Sequence, residues 1–173
     1  HLSKMLSMYL FVACEGRSPN KNLVWDHFVA PQVKVRQTMN IIKFGSESEY
    51  VKLEIPTSFS TGGWAQIPVE ICVNCFSGTI NPWIDSADIE LFATGLRKLY
   101  ETLKGQAEFV PLEKQLTLKF ESKTGGKISV TGIAWSQATY ENKLEFHLEL
   151  DQTYLQLPLK ALEILCGEIK ANA

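Results

Sequence analysis

Hydrophobic and polar residues alternate along several short segments of this chain, and the alternation predicts β-strands. In residues 50–55 the apolar side chains fall on every second position, and residues 143–150 repeat this period. Because successive side chains of a strand point to opposite faces, each segment has one apolar and one polar face. Residues 143–150 therefore place Glu145, His147 and Glu149 on the side of a sheet that contacts solvent.

Two longer segments have the period of a helix instead. Their apolar stripes consist of Ile89, Phe92, Leu96, Leu99 and Leu103, and of Leu155, Leu159, Leu162, Leu165 and Ile169. Asp85 or Ser86 can cap the start of the first helix, and Gly105 supplies a left-handed stop after it. Asp151 can cap the second helix through its carboxylate. The chain is thus predicted to contain two amphipathic helices.

The predicted elements follow one another as three strands, a helix, about four strands and a second helix, all within residues 39–173. Residues 69–76 form the third strand. A later strand slips in register at Gly132, so that Ile133 and Trp135 follow Ile128 on the inner face. We predict one α+β domain, in which a mainly antiparallel sheet of about six to seven strands carries the two helices.

Residues 1–38 differ from the rest of the chain and are predicted to be an N-terminal extension that is either non-native or signal-like. Lys4 precedes a short apolar stretch that ends at Cys14, as in a lipoprotein signal, and the stretch is too short to span a membrane. The alternatives are a helix or strand packed on the domain, and an extension upstream of a natural start at Met39. We expect a cytoplasmic protein, or a lipoprotein if Lys4 to Cys14 is a signal.

The charge of the chain is unevenly distributed. Residues 1–38 carry five Lys or Arg and two Asp or Glu, whereas residues 39–173 carry twelve and seventeen. A mildly acidic domain attracts a basic partner. The sequence contains no cluster of Lys and Arg interleaved with aromatic residues, so direct binding to nucleic acid is not expected, and neither is binding to a membrane.

Candidate chemistry is sparse. Cys72 and Cys75 form a C-x-x-C pair, but in a single strand they would lie on opposite faces, and no second pair follows at zinc spacing. We expect buried, reduced cysteines and no metal or cofactor. His147 lies between Glu145 and Glu149 and could act as a general base or bind a metal, but no nucleophile can be placed beside it. We therefore expect no catalytic residues.

Two tryptophans are candidates for contact with a partner. Trp64 follows a loop rich in Ser, Thr and Gly, and Trp83 precedes the first helix. Tryptophan near a loop often anchors a partner, although it can equally cover the rim of the core. The residues predicted to bind a partner are Glu121, Glu145, His147, Glu149, Trp64 and Trp83.

The order of several landmarks resembles a known family. Residues 74–78 read Asn-Cys-Phe-Ser-Gly, residues 88–92 Asp-Ile-Glu-Leu-Phe, residues 105–108 Gly-Gln-Ala-Glu and residues 148–155 Leu-Glu-Leu-Asp-Gln-Thr-Tyr-Leu. This succession, over about residues 39–170, resembles the WapI family of small bacterial immunity proteins. The resemblance implies a protein that binds and blocks the toxic nuclease domain of a contact-dependent toxin.

We therefore expect a non-enzymatic binding protein whose partner is a basic toxin domain of the nuclease type. Two alternatives stay open on the sequence. One is a metal-assisted enzyme centred on His147, and the other is a small-ligand or envelope-associated module. The sequence does not indicate an oligomeric state.

Overall fold

The computed structural model describes residues 39–139 and 141–172, all of which lie in one compact unit, Arg36–Ala173. These residues contain two α-helices and ten strands. The strands are β1 (Met39–Gly45), β2 (Tyr50–Pro56), β3 (Trp64–Gln66), β4 (Val69–Val73), β5 (Phe76–Ile80), β6 (Trp83–Asp85), β7 (Gln106–Phe109), β8 (Leu116–Ser122), β9 (Lys127–Trp135) and β10 (Lys143–Asp151). The helices are α1 (Ser86–Thr102) and α2 (Gln156–Asn172).

The strands form two four-stranded sheets and one short ribbon, and every pair is antiparallel. The first sheet has the order β1-β2-β4-β5, and the second has the order β10-β9-β8-β7. Strands β3 and β6 pair only with each other. The predicted α+β class is confirmed, while the predicted six to seven strands were too few.

The strand predicted for residues 69–76 is in fact a hairpin. Strands β4 and β5 are joined by Asn74 and Cys75, and Asn74 has a left-handed backbone with φ of 52°. Asparagine tolerates this conformation better than most residues, which lets the chain reverse here. Cys75 is therefore exposed in a turn, and Cys72 on β4 is half-buried, so the predicted burial on opposite faces of one strand is wrong.

One hydrophobic core joins the two sheets and the two helices. Phe44 of the first sheet and Phe120 of the second meet edge to face, with ring centroids 4.8 Å apart. Phe92 of α1 packs on both rings and on Phe109, at centroid distances of 5.9, 5.5 and 5.4 Å. Such tilted contacts are favourable for aromatic rings. The predicted stripes of both helices face this core, except that Leu103 is only half-buried.

The predicted start of α1 is confirmed. The carboxylate of Asp85 accepts a hydrogen bond from the Ala87 N–H at 2.8 Å, and Asp88 accepts one from the Asp85 N–H at 3.3 Å. The Asp88 N–H also donates to the Asp85 side chain, and this bond and the one from the Asp85 N–H to Asp88 form a capping box. Burial raises the pKa of Asp88 above its ordinary value, and the neighbouring charge of Asp85 adds to this, while the backbone bond acts against it.

Two predicted helix ends are wrong in detail. Leu103, not Gly105, adopts the left-handed conformation that ends α1, with φ of 50° and its N–H donating to the Leu99 carbonyl at 2.9 Å. Asp151 makes no side-chain cap, because its carboxylate pairs with Lys127 at 2.9 Å, on the neighbouring strand. Helix α2 starts only after an intervening 3-10 turn, Gln152–Leu155.

Strand β9 is continuous, and the predicted slip at Gly132 does not occur. Gly132 pairs with Phe146 on β10, and any side chain at Gly132 would overlap the Phe146 ring. Glycine is present here because the ring occupies the space of its missing side chain. In this register Ala134 faces the core, and Ile133 and Trp135 lie on the opposite face, half-buried.

Candidate functional site

The solvent-side surface of the second sheet, here called the open face, brings together four of the residues predicted to bind a partner. Antiparallel pairing sets residues of neighbouring strands side by side, so the register gives the arrangement of this surface directly. Its members are Lys143, Glu145, His147, Glu149 and Asp151 on β10, Lys127, Ser129, Thr131, Ile133 and Trp135 on β9, Thr117, Lys119 and Glu121 on β8, and Gln106 and Glu108 on β7.

The centre of the open face is a row of polar residues that runs across all four strands. His147 is opposite Thr131, and Thr131 is opposite Lys119 on its other side. Lys119 is in turn opposite Glu108 at the far edge. The side chain of His147 is 53% exposed, so this central row is accessible to a partner.

The neighbouring row carries two of the predicted glutamates. Glu149 is opposite Ser129, which is opposite Glu121 on β8. The two carboxylates are thus two strands apart on one face, with a small buried serine between them. Glu145 lies in the row on the other side of His147, opposite Ile133. The structure therefore confirms that the predicted polar positions of β10 face solvent.

Several charges on this face already have partners. Lys143 pairs with Glu145, and Lys123 in the turn beside β8 pairs with Glu121 at 3.0 Å. The hydrogen bond and charge of Lys123 hold the pKa of Glu121 below its ordinary value. These pairs are solvent-exposed, so each contributes little to stability. The lowered pKa favours the ionised form of Glu121.

Carboxylates outnumber lysines on the open face. Five Asp or Glu and three Lys occur among its members. Glu149 is the most exposed of the paired carboxylates on β10, at 77% of its side-chain surface. A surface of this composition attracts a positively charged partner more than a negative one.

His147 does not lie in a catalytic arrangement with both glutamates. Its Nε2 is 3.8 Å from a carboxylate oxygen of Glu149, beyond hydrogen-bonding distance. Within residues 39–139 and 141–172, no group of three His, Cys, Asp or Glu side chains is placed to hold a metal ion. The neighbours of His147 across the sheet are Thr131 and Lys119, and both are exposed.

The two predicted tryptophans lie elsewhere, on the β3–β6 ribbon. Trp64 is opposite Asp85, and Gln66 is opposite Trp83, so the two indoles occupy diagonal positions on one face of the ribbon. Trp83 is 44% exposed and Trp64 is half-buried. The predicted partner-binding set is therefore divided between two different sheets.

Trp135 also belongs to the open face, although the predicted slip at Gly132 had placed it on the inner face of the sheet. The ammonium of Lys143 lies 5.5 Å from the centre of its ring, a cation–π distance. The half-buried Ile133 lies two residues before it on the same face. An aromatic and an aliphatic residue thus lie beside Glu145, and counting the alternation from Ile128 through Gly132 without a slip would have placed both on this face.

The outer face of the first sheet differs, because its charges form a compact network. The Glu70 carboxylate accepts a hydrogen bond from the Tyr50 hydroxyl at 2.6 Å and pairs with Lys52 at 2.5 Å. Lys52 also pairs with Glu54 at 3.3 Å. The bond from Lys52, followed by that from Tyr50, lowers the pKa of Glu70, and the bond to Glu70 raises the pKa of Tyr50.

The two helices are also tied to each other by charge. The guanidinium of Arg97 on α1 donates two hydrogen bonds to Glu163 on α2, at 2.6 and 2.5 Å. This bidentate geometry is the stronger form of an arginine–carboxylate pair. Neither helix in the described part of the chain is long and apolar enough to cross a membrane.

The described residues thus form a small α+β protein with one accessible, mainly polar sheet face. Residues 41–168 match the family described as immunity protein WapI-like. The chain belongs to this family, as the order of landmarks in the sequence indicated. Family membership implies an immunity function, a protein toxin as partner and a non-enzymatic role.

Comparison with other proteins adds little to this. No curated protein matches the sequence significantly. The chain is similar to one in the "trypanosoma bruciei MRP1/MRP2" crystal structures, with a TM-score of 0.44, 8% identity, and coverage of 75% of this chain and 83% of that chain. It is also similar to the structure of the plant transcriptional regulator PBF-2, with a TM-score of 0.46, 8% identity, and coverage of 77% and 83%. Such values carry no functional argument.

Proposed function

We propose that this chain is an immunity protein that neutralises a basic toxin domain of the nuclease type by binding it through the open face. It acts without catalysis, and it acts in the cytoplasm, where a nuclease toxin meets nucleic acid. The observation that carries the proposal is the placement of Glu121, Glu145 and Glu149 in the two rows that flank the central His147 row of one accessible sheet face, in a member of an immunity family.

The open face is suited to a partner that itself binds nucleic acid. A domain that contacts phosphates carries Lys and Arg on its working surface. The carboxylates of the open face can pair with those cations, and a bidentate arginine–carboxylate pair is the strongest form of such a contact. Occupying the cations would also keep the nucleic acid away. Binding and inhibition would therefore be the same event.

The hydrophobic members of the open face supply binding energy in addition to that of the charged pairs. Binding energy at an interface is usually concentrated in a few aromatic and apolar residues surrounded by polar ones. Trp135 and Ile133 are half-buried beside Glu145 and provide such a centre. We assign Trp83 on the ribbon a separate, secondary contact, since it belongs to a different sheet.

Binding through the open face is tested by charge-reversal variants of its glutamates. The Glu145→Lys and Glu149→Lys double variant should associate with the cognate toxin domain at least about tenfold more slowly than the wild type, because charge steering of association is lost. The wild-type rate should itself fall as salt is added. Both are measured as association rates by surface-based or stopped-flow methods.

Glu47→Lys is the matched control, because Glu47 is a fully exposed glutamate in the β1–β2 turn of the first sheet. It changes the net charge in the same direction, by half as much as the double variant, without touching the open face. An association rate that fell in the control by about half as much, on a logarithmic scale, would show that only the overall charge matters. An association rate that is the same for the double variant and the wild type would show that the open face is not the binding surface.

A further inference from the structure

Strand β5 is an outer edge of the first sheet, and it lacks the features that usually protect such edges. Its residues are Phe76, Ser77, Gly78, Thr79 and Ile80. They include no charge and no proline, and they form no bulge against β4. Edges are usually blunted by one of these features, since an open edge pairs readily with another strand.

The other edges of the two four-stranded sheets are guarded. Strand β1 carries Lys43, and strand β10 carries charges along its whole length. Strand β7 is four residues long and carries Glu108. Charges and short length both disfavour pairing with another strand, and β5 carries no charge.

The hydrogen-bond phase of the first sheet shows which groups of β5 point outward. The Glu54 N–H donates to the Pro68 carbonyl on one side of β4, and the Ile67 N–H donates to the Pro82 carbonyl on the other. In an antiparallel pair every second residue of a strand bonds to the neighbouring strand. Counted from Pro82, these residues of β5 are Ile80, Gly78 and Phe76, so they bond to β4. The backbone groups of Ser77 and Thr79 therefore point away from the sheet, and no partner for them is found among the described residues.

The sequence of β5 is symmetric about Gly78 in the way that a two-fold pairing requires. If two copies pair antiparallel with Gly78 opposite Gly78, Ser77 of each lies opposite Thr79 of the other. These two pairs are the ones with outward N–H and carbonyl groups, so they would exchange four hydrogen bonds. Phe76 of each copy would then lie opposite Ile80 of the other.

The inner side of β5 has room for this contact. Phe76 is 60% exposed, and a side chain at Gly78 would meet open space. A groove of about 350 Å³ runs beside the strand, with Ile71, Ile80 and Leu144 among its lining residues. Phe76 faces the same side as Ile80, because their partners on β4 are both buried.

We propose that two copies of this chain associate through their β5 strands, in antiparallel register about Gly78, to form a continuous eight-stranded sheet. Each Phe76 packs on Ile80 of the other copy, at the mouth of its groove. Because the contact is one strand wide, the dimer is weak and forms reversibly with concentration. The inference goes beyond the proposed function and does not depend on it, since the open face belongs to the other sheet.

Sedimentation of the full chain in reducing buffer, over a wide concentration range, tests this directly. The reducing agent prevents a disulfide through the exposed Cys75. The wild type should pass from monomer to dimer as its concentration rises. Thr79→Pro removes only an outward N–H, so it should leave the β4 ladder intact and weaken the dimer about tenfold or more.

Glu108→Pro is the matched control, because it also removes an N–H at an outer edge, on β7. The Gly105 carbonyl accepts a hydrogen bond from the Ser122 N–H, and every second residue of β7 counted from Gly105 bonds to β8. Glu108 lies between these positions, so its backbone N–H points outward. This variant should dimerise as the wild type does. Phe76→Ser changes an exposed side chain and should weaken the dimer without loss of folding, even if Thr79→Pro is unstable.

A wild type that stays monomeric at every concentration would overturn the proposal. A dimer that persists unchanged in both Thr79→Pro and Phe76→Ser would overturn it as well, because the contact would then lie elsewhere.

Discussion

Phe146 on β10 lies over Gly132 on β9, and its ring fills the space that a side chain at Gly132 would need. This contact fixes the pairing of the two strands. A shift by one residue would exchange their faces, since side chains alternate along a strand. Phe146 faces the core, so its neighbours Glu145 and His147 face solvent. The composition of the open face thus depends on a glycine in the adjacent strand.

Gly132→Ala should destabilise the protein by about 1–3 kcal/mol, because an added methyl group overlaps the Phe146 ring. The free energy of unfolding is measured by denaturant titration. Gly78→Ala is the control, because open space surrounds that position, and its stability should stay within about 0.5 kcal/mol of wild type. Equal stability of Gly132→Ala and wild type would show that β9 tolerates a different register.

Phe92→Ala should destabilise the protein by about 3–5 kcal/mol, since its ring contacts Phe44, Phe109 and Phe120 of both sheets. Thermal and denaturant unfolding report the change. The adjacent Leu91 is 73% exposed, so Leu91→Ala should have little effect. If both variants unfolded alike, α1 would be rotated relative to the sheets.

The Glu70 network predicts part of the acid sensitivity of the fold. Lys52 first, and then Tyr50, lower the pKa of Glu70, so the ionised form is favoured in the folded state. A lowered pKa contributes stability above the unfolded pKa, about 4.3, and that contribution is lost as the pH falls through the folded pKa. Stability of the wild type should therefore decline more steeply below about pH 4.3 than that of Glu70→Gln.

This pH dependence is measured as the free energy of unfolding at a series of pH values for both proteins. Glu47→Gln provides the reference, because Glu47 is fully exposed on the same sheet. Curves for the wild type and Glu70→Gln that ran parallel through the acid range would mean that the network is not formed in solution.

Residues 39–173 should fold without residues 1–38, because their own sheets and helices already enclose one hydrophobic core. The truncated protein should unfold cooperatively and keep the circular dichroism of a mixed α and β fold. An insoluble or non-cooperative product would mean that the first 38 residues belong to the folding unit.

The sequence predicts best those elements whose pattern is long. The apolar stripe of α1 from Ile89 to Leu99 and the alternation of β10 both identify buried residues correctly, because each repeats over several turns or residues. The first sheet was less predictable. Residues 69–76 are continuously strand-forming, so the reversal at Asn74 is visible only through the tolerance of asparagine for a left-handed backbone.

Contacts between distant segments limit prediction of the candidate site. Strands β3 and β6 have three residues each, which is too short for any period to be recognised. Their pairing places Trp64 and Trp83 on a ribbon, away from the sheet that carries Glu121 and Glu149. Likewise, no local pattern shows that the space for a side chain at Gly132 is filled by Phe146.

The immunity function is tested most directly by the survival of cells that express the cognate toxin domain, with and without this chain. We predict that co-expression of the wild type restores growth, and that the Glu145→Lys and Glu149→Lys double variant restores it less well than the Glu47→Lys control. Immunoblots of all three proteins establish that they accumulate equally. Cells that died equally with and without the wild-type chain would contradict the immunity function.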